Sequence, residues 1–146
     1  MIIAIGNDHR GYELKKKLLK YFDEKNIKYK DMGSFSEKSV DYPDFGYMVA
    51  KSVSLGEADL GILICSNGIG MSIVANKVKG IRAALTYTPE LGKIAKTHNN
   101  ANVLVLGELL SYETAIKIID GWLNAEFETG GRHERRVKKI HELTGL

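Results

Sequence analysis

Leu60-Gly61-Ile62-Leu63-Ile64-Cys65-Ser66-Asn67-Gly68-Ile69-Gly70-Met71 joins an apolar run to a two-glycine turn. The run Leu60–Cys65 is near-continuous rather than alternating, as a strand buried on both faces requires. Ile73, Val74 and Val78 then fall on one helical stripe. Strand, turn and helix in this order form half of a parallel βαβ unit.

The same pattern repeats on either side. Apolar runs occur at Ile2–Ile5, Ile27–Met32, Ile81–Thr86 and Val103–Leu106. Helical stripes lie between and after them: Leu14, Leu18, Leu19, Phe22; Phe45, Met48, Val49, Val53; Leu91, Ile94, Ala95; and Ala115, Ile116, Ile119, Leu123. A last, basic helix is expected from about Arg132 to Leu143. The reading is one α/β domain over residues 1–146, a three-layer Rossmann-like sandwich with a five-stranded parallel sheet. Its longest irregular stretch is Gly33 to Asp44, where Pro43 suits a helix N1 position.

Bulk properties agree. The 146 residues make one domain, 44% apolar and 27% charged, with net charge +3 from 21 basic and 18 acidic residues. Five of the basic residues fall between Arg132 and Lys139, which favours a local anion site over a general nucleic-acid surface. The single cysteine, Cys65, excludes a disulfide framework within the chain. No signal-like start and no apolar run of about 20 residues is read, so the expected compartment is the cytoplasm.

In open parallel sheets, ligands bind beyond the carboxyl ends of the strands. Two such ends carry reactive side chains. One is Asn7-Asp8-His9-Arg10-Gly11, where carboxylate, imidazole and guanidinium adjoin. The other is Cys65 to Met71, where Gly68 and Gly70 bare backbone N–H groups at a helix start, a cradle for an anion or oxyanion. Cys65 at its lip is a base or nucleophile, or else a small hydrophobe closing a core strand. An unperturbed thiol is about 3% ionised at pH 7, and half ionisation needs roughly 2 kcal/mol of thiolate stabilisation. A helix terminus supplies about 0.3–1 kcal/mol, so another positive group or hydrogen bond is required.

Several loop chemistries drop out. A third glycine of G-x-G-x-x-G is missing, since Ile73 stands there, and no Walker A loop is present. A cysteine phosphatase loop wants arginine where Met71 stands. No Cys/His cluster at metal-ligand spacing exists, so no metal is expected. His98, before Asn99-Asn100-Ala101-Asn102, reads as a helix C-cap or a catalytic group. Arg132 and Arg136 share one helix face at i, i+4 and suit phosphate oxygens, or form a solvated charged face. His141 is expected to face solvent.

Six segments together resemble the type B ribose-5-phosphate isomerases, in a family that includes galactose-6-phosphate and allose-6-phosphate isomerases. They are Asp8-His9, Asp41-Tyr42-Pro43, Cys65-x-x-Gly68-Ile69-Gly70-Met71-Ser72-Ile73, Gly80-Ile81-Arg82-Ala83-Ala84, His98-Asn99-Asn100-Ala101-Asn102-Val103-Leu104 and Gly130-Gly131-Arg132-His133. They occur in order along essentially the whole chain. The resemblance implies a cofactor-independent aldose–ketose isomerase of the pentose phosphate pathway, working through a cis-enediolate. It implies Cys65 as the base and His98 as the group that assists ring opening. Asp8, Tyr42 and Asn99 would meet the sugar, the N–H groups from Ser66 through Asn67, Gly68 and Ile69 to Gly70 would hold the enediolate oxygens, and His9, Arg132 and Arg136 would hold the phosphate. It also implies a homodimer or tetramer with interfacial sites, the His98 segment coming from the partner.

One departure bears on specificity. The family's usual Cys-Gly-Thr-Gly reads Cys65-Ser66-Asn67-Gly68 here. Ser66 replaces a glycine, at a cost of about 1 kcal/mol if that backbone is left-handed. Asn67 replaces a hydroxyl that touches the sugar. Three other readings stay open: a hexose 6-phosphate isomerase, a non-catalytic sugar-phosphate-binding subunit, and a thiol-redox protein, the last weakened by the absence of C-x-x-C.

Overall fold

The computed structural model describes residues 1–146. Its elements run β1 (Ile2–Asn7), α1 (Tyr12–Glu24), β2 (Lys28–Asp31), α2 (Tyr42–Ser54), β3 (Leu60–Cys65), α3 (Ile69–Ala75), β4 (Ala83–Leu85), α4 (Pro89–Thr97), β5 (Val103–Gly107), α5 (Tyr112–Leu123) and α6 (Arg132–Thr144). The five strands form one parallel sheet in the order β2-β1-β3-β5-β4. This is the three-layer α/β sandwich expected from the apolar runs.

Alternate side chains of each central strand feed two cores. Ile3, Ile5, Ile62, Ile64, Leu104 and Leu106 point to the layer holding Leu18 and Phe22 of α1 and Ile118, Ile119 and Trp122 of α5. Ala4, Leu63, Cys65, Val103 and Val105 point to the layer holding Val49 and Ala50 of α2 and Met71 and Ala75 of α3. Burial on both faces is why these runs do not alternate. Trp122 donates its indole N–H to the Ala101 carbonyl at 3.0 Å, so its polar edge is satisfied.

The core includes one buried cation. The Lys15 ammonium, 1% exposed, donates to Asp31 Oδ1 at 2.6 Å and to the Ser34 carbonyl at 2.8 Å. Burial lowers the Lys15 pKa, and Asp31 opposes that fall. The pair ties α1 to the end of β2 and to the start of the irregular stretch before α2. Pro43 is the second rather than the first residue of α2, with Asp41 as the N-cap. No helix is long and apolar enough to cross a membrane.

From β1 the chain passes to β2 on one side, and later to β3 on the other. The strand order therefore switches between β1 and β3, and a crevice opens at their carboxyl ends.

Candidate active site

Asp8 and Cys65 occupy the two lips of that crevice. Asn7 lies opposite Ile64 in the ladder, and the Asp8 N–H donates to the Ile64 carbonyl at 3.1 Å. The Asp8 carboxylate, 6% exposed, accepts from the N–H groups of Arg10 (2.9 Å) and Gly11 (3.1 Å) and so caps the turn into α1. His9 is held by its Nδ1, which accepts from the Val40 N–H at 3.3 Å. Arg10 turns away and forms a two-pronged pair with Glu108 at 2.7 and 2.8 Å. The adjacent carboxylate, imidazole and guanidinium thus have three separate tasks.

Cys65 ends β3 and is 5% exposed. The Gly68 N–H donates to its sulfur at 3.2 Å, and the amides of Met71 and Asn67 also favour the thiolate. Burial outweighs them, with Asp8 adding to the effect, and pushes the thiol above its ordinary range. A helix start alone does not activate this cysteine, as the energies in the sequence suggested. At rest the group is a neutral thiol.

The turn after Cys65 is built on Gly68, which has φ +80° and N-caps α3. A Cβ there would also lie 2.3 Å from Leu85 Cδ1, so only glycine fits. Ser66 is not among the left-handed residues, so its replacement of glycine carries no strain. The Asn67 side-chain oxygen accepts from the Ile69 N–H at 2.9 Å, and the Tyr87 hydroxyl donates to the Asn67 carbonyl. Asn67 therefore shapes the loop with one end of its amide, and its NH2 has no acceptor in the chain. The expected cradle narrows: Gly68 and Ile69 spend their N–H groups within the loop, while Ser66 and Gly70 have no acceptor in the chain. The Tyr42 ring, 40% exposed, covers Gly70, where a Cβ would meet it at 2.5 Å.

The second set of expected residues lies elsewhere. His98 is the C-cap of α4, five residues before β5 begins at Val103. Val103 pairs with Gly61 at the amino end of β3, and Gly107 pairs with Cys65 at the carboxyl end. The amino end of β5, which the His98 segment enters, therefore lies four strand steps, about 13 Å, from the level of Cys65 in the same chain. Asn99, Arg132 and Arg136 belong to the His98 side. Arg82 fastens that segment, its Nε donating to the carbonyls of Asn99 (3.2 Å) and Asn100 (2.9 Å). Arg132 and Arg136 are exposed on the first turns of α6.

The structure adds two residues to this side that sequence spacing did not reveal. The His133 ring stacks on His98, with centroids 4.0 Å apart and planes at 7°. The Glu128 carboxylate faces both rings, its oxygens 3.7 Å from His98 Nε2 and 3.5 Å from His133 Nε2. His98, Glu128 and His133 are the one set of potential metal ligands that converges, within 4.8 Å. Parallel stacked rings do not aim at a common ion, and Arg132 and Arg136 make the neighbourhood positive, so the set suits an anion or a shared proton better than a divalent cation. His141 is another departure: it is half-buried, with Nε2 2.9 Å from Arg82 Nη1.

Comparison with known proteins identifies the family. The family model described as Ribose/Galactose Isomerase matches residues 3–140. Ribose-5-phosphate isomerase B of Escherichia coli (strain K12) is 42% identical over 139 residues, which cover 94% of this chain and 93% of that protein. The crystal structure of a ribose 5-phosphate isomerase from Thermotoga maritima is 51% identical, covers 97% of each chain and superposes with a TM-score of 0.93. Ribose-5-phosphate isomerase B from Mycoplasma genitalium, solved with bound ribulose-5-phosphate, is 41% identical with a TM-score of 0.93, covering 99% of this chain and 96% of that one. With its fold and nearly its whole length matched, the chain belongs to the ribose/galactose isomerase family.

Proposed function

We propose that this chain interconverts ribose 5-phosphate and ribulose 5-phosphate, at a site completed by a second copy of itself. The observation that carries the reading is the Cys65 thiol beside an amide cradle at the switch point of the sheet. The separation of Cys65 from His98 within one chain supports the shared site, because ring opening and proton transfer must act on one sugar.

The chemistry is a proton shift. The Cys65 thiolate removes the proton from C2, and the electron pair moves into a cis-enediolate. The Ser66 and Gly70 N–H groups stabilise the developing oxyanion. The same proton, now on sulfur, returns to C1, while the C2 hydroxyl proton passes to O1. Beforehand, His98 of the second copy gives a proton to the ring oxygen as the C1–O4 bond breaks, and the C1 hydroxyl releases its proton to water as the aldehyde forms. His9 of one copy and Arg132 and Arg136 of the other hold the phosphate, and this remote anchor fixes the reacting carbons. No electron leaves the substrate, so the mechanism has no redox cofactor to place. Asp8, Tyr42 and Asn99 line the sugar, and Asn67 offers its NH2 to a hydroxyl.

The test adds ribose 5-phosphate to purified protein with a chelator present and follows ketose formation. Turnover is expected, and Cys65→Ala lowers kcat by at least about 100-fold. Full activity in that variant rules out Cys65 as the base. A second reading, a hexose 6-phosphate substrate, is favoured by Asn67 and Ser66 where the family usually has threonine and glycine. Comparing kcat/KM on ribose, allose and galactose phosphates decides between them.

A further inference from the structure

We propose that Glu128 is a positioning residue that bridges the stacked His98–His133 pair and keeps one proton on it. This inference rests on the proposed role of His98 in ring opening. Three contacts carry it. Each Glu128 oxygen faces the Nε2 of a different ring, at 3.7 and 3.5 Å. The Glu128 N–H donates at 3.0 Å to the carbonyl of Thr97, the residue before His98. The rings themselves lie face to face at 4.0 Å.

Two imidazoles stacked this closely repel when both are charged. The charged groups facing the pair are Glu128 from the segment before α6, and Arg132 and Arg136 from α6 itself. Partial burial, the His98 ring and the two arginines all favour a neutral His133, and Glu128 alone opposes them. Glu128 is the one group here that favours a proton on His133, and its other oxygen faces His98. A carboxylate that faces both Nε2 atoms lets one proton serve the pair, and that proton is the general acid for the sugar's ring oxygen. The backbone bond to Thr97 keeps the carboxylate in register with His98 by joining the end of α4 to the entry of α6.

The experiment is an NMR titration of the imidazole C–H resonances in the full-length protein and in Glu128→Gln. The variant keeps the shape of the side chain and removes only its charge. The histidine midpoint is expected to fall by about 0.5 to 1 pH unit, the size of one unit charge at this distance in a water-like dielectric. Glu128→Asp should recover part of the fall. The limb of the kcat/KM profile that reports the pair should move down by the same amount. Superimposable titrations in the folded wild type and Glu128→Gln overturn the proposal. If the wild type does not isomerise ribose 5-phosphate at all, the proposed function falls instead, and the titration still decides whether Glu128 controls the pair.

Discussion

Mixing two inactive variants tests the shared site most directly. Cys65→Ala removes the proposed base at the carboxyl edge of the sheet, and His98→Ala removes the proposed acid beyond its amino edge, at the far end of the strands. Each variant alone should lose at least about 100-fold in kcat. Suppose every site takes Cys65 from one copy and His98 from the other. Equal amounts of the two variants, unfolded together and refolded, then give mixed dimers in about half of all pairs. In a mixed dimer one site inherits both defects and the other inherits neither. About a quarter of all sites are therefore intact, and the mixture should recover about a quarter of wild-type turnover, far above either parent. The assay is ketose formation from ribose 5-phosphate, with native mass spectrometry to verify exchange. If mixed dimers are present and turnover stays at the sum of the parents, Cys65 and His98 do not serve one site across two chains.

Other perturbations test individual parts. Because burial raises the Cys65 pKa, kcat/KM should climb with pH above neutrality, about tenfold per pH unit until the thiol titrates. Alkylation by iodoacetamide should be slow at pH 7 and follow the same curve, and a flat profile would place the working base elsewhere. Lys15→Ala leaves Asp31 and the Ser34 carbonyl without their cation. Asp31 is 25% exposed and part of the loss is made up by water, so the expected cost is about 2–3 kcal/mol, read as a lower midpoint in urea unfolding. Gly70→Ala drives a methyl group into the Tyr42 ring, 2.5 Å away, and should displace that ring and raise KM by about tenfold with little change in stability. Tyr21 has its pKa pushed up to about 12 by burial and by its bond to Asp120. The unfolded chain ionises first, near pH 10, so stability should fall between pH 10 and 12. Tyr21→Phe should flatten that fall.

The amino-acid order by itself determined the fold, because each strand and helix declares itself locally. The run Leu60–Cys65 is the strand β3 residue for residue. The run Ile81–Thr86 narrows to Ala83–Leu85, and Ile27–Met32 to Lys28–Asp31, since hydrogen bonding to a neighbour, not hydrophobicity, ends a strand. The cysteine loop was equally legible: Cys65, Gly68 and Gly70 sit within six residues, and their turn chemistry follows from residue type. What only the tertiary structure decided involves groups far apart in the chain. His98, Glu128 and His133 span thirty-five residues and converge because α6 returns to the end of α4. Arg10 reaches Glu108 across 98 positions, and His141 reaches Arg82 across 59. The resting state of Cys65 was tertiary too. The sequence shows the amides that favour a thiolate, but the burial that outweighs them comes from the surrounding layers. Local spacing fixes which groups a turn presents, whereas packing fixes the dielectric around them and the neighbours they meet.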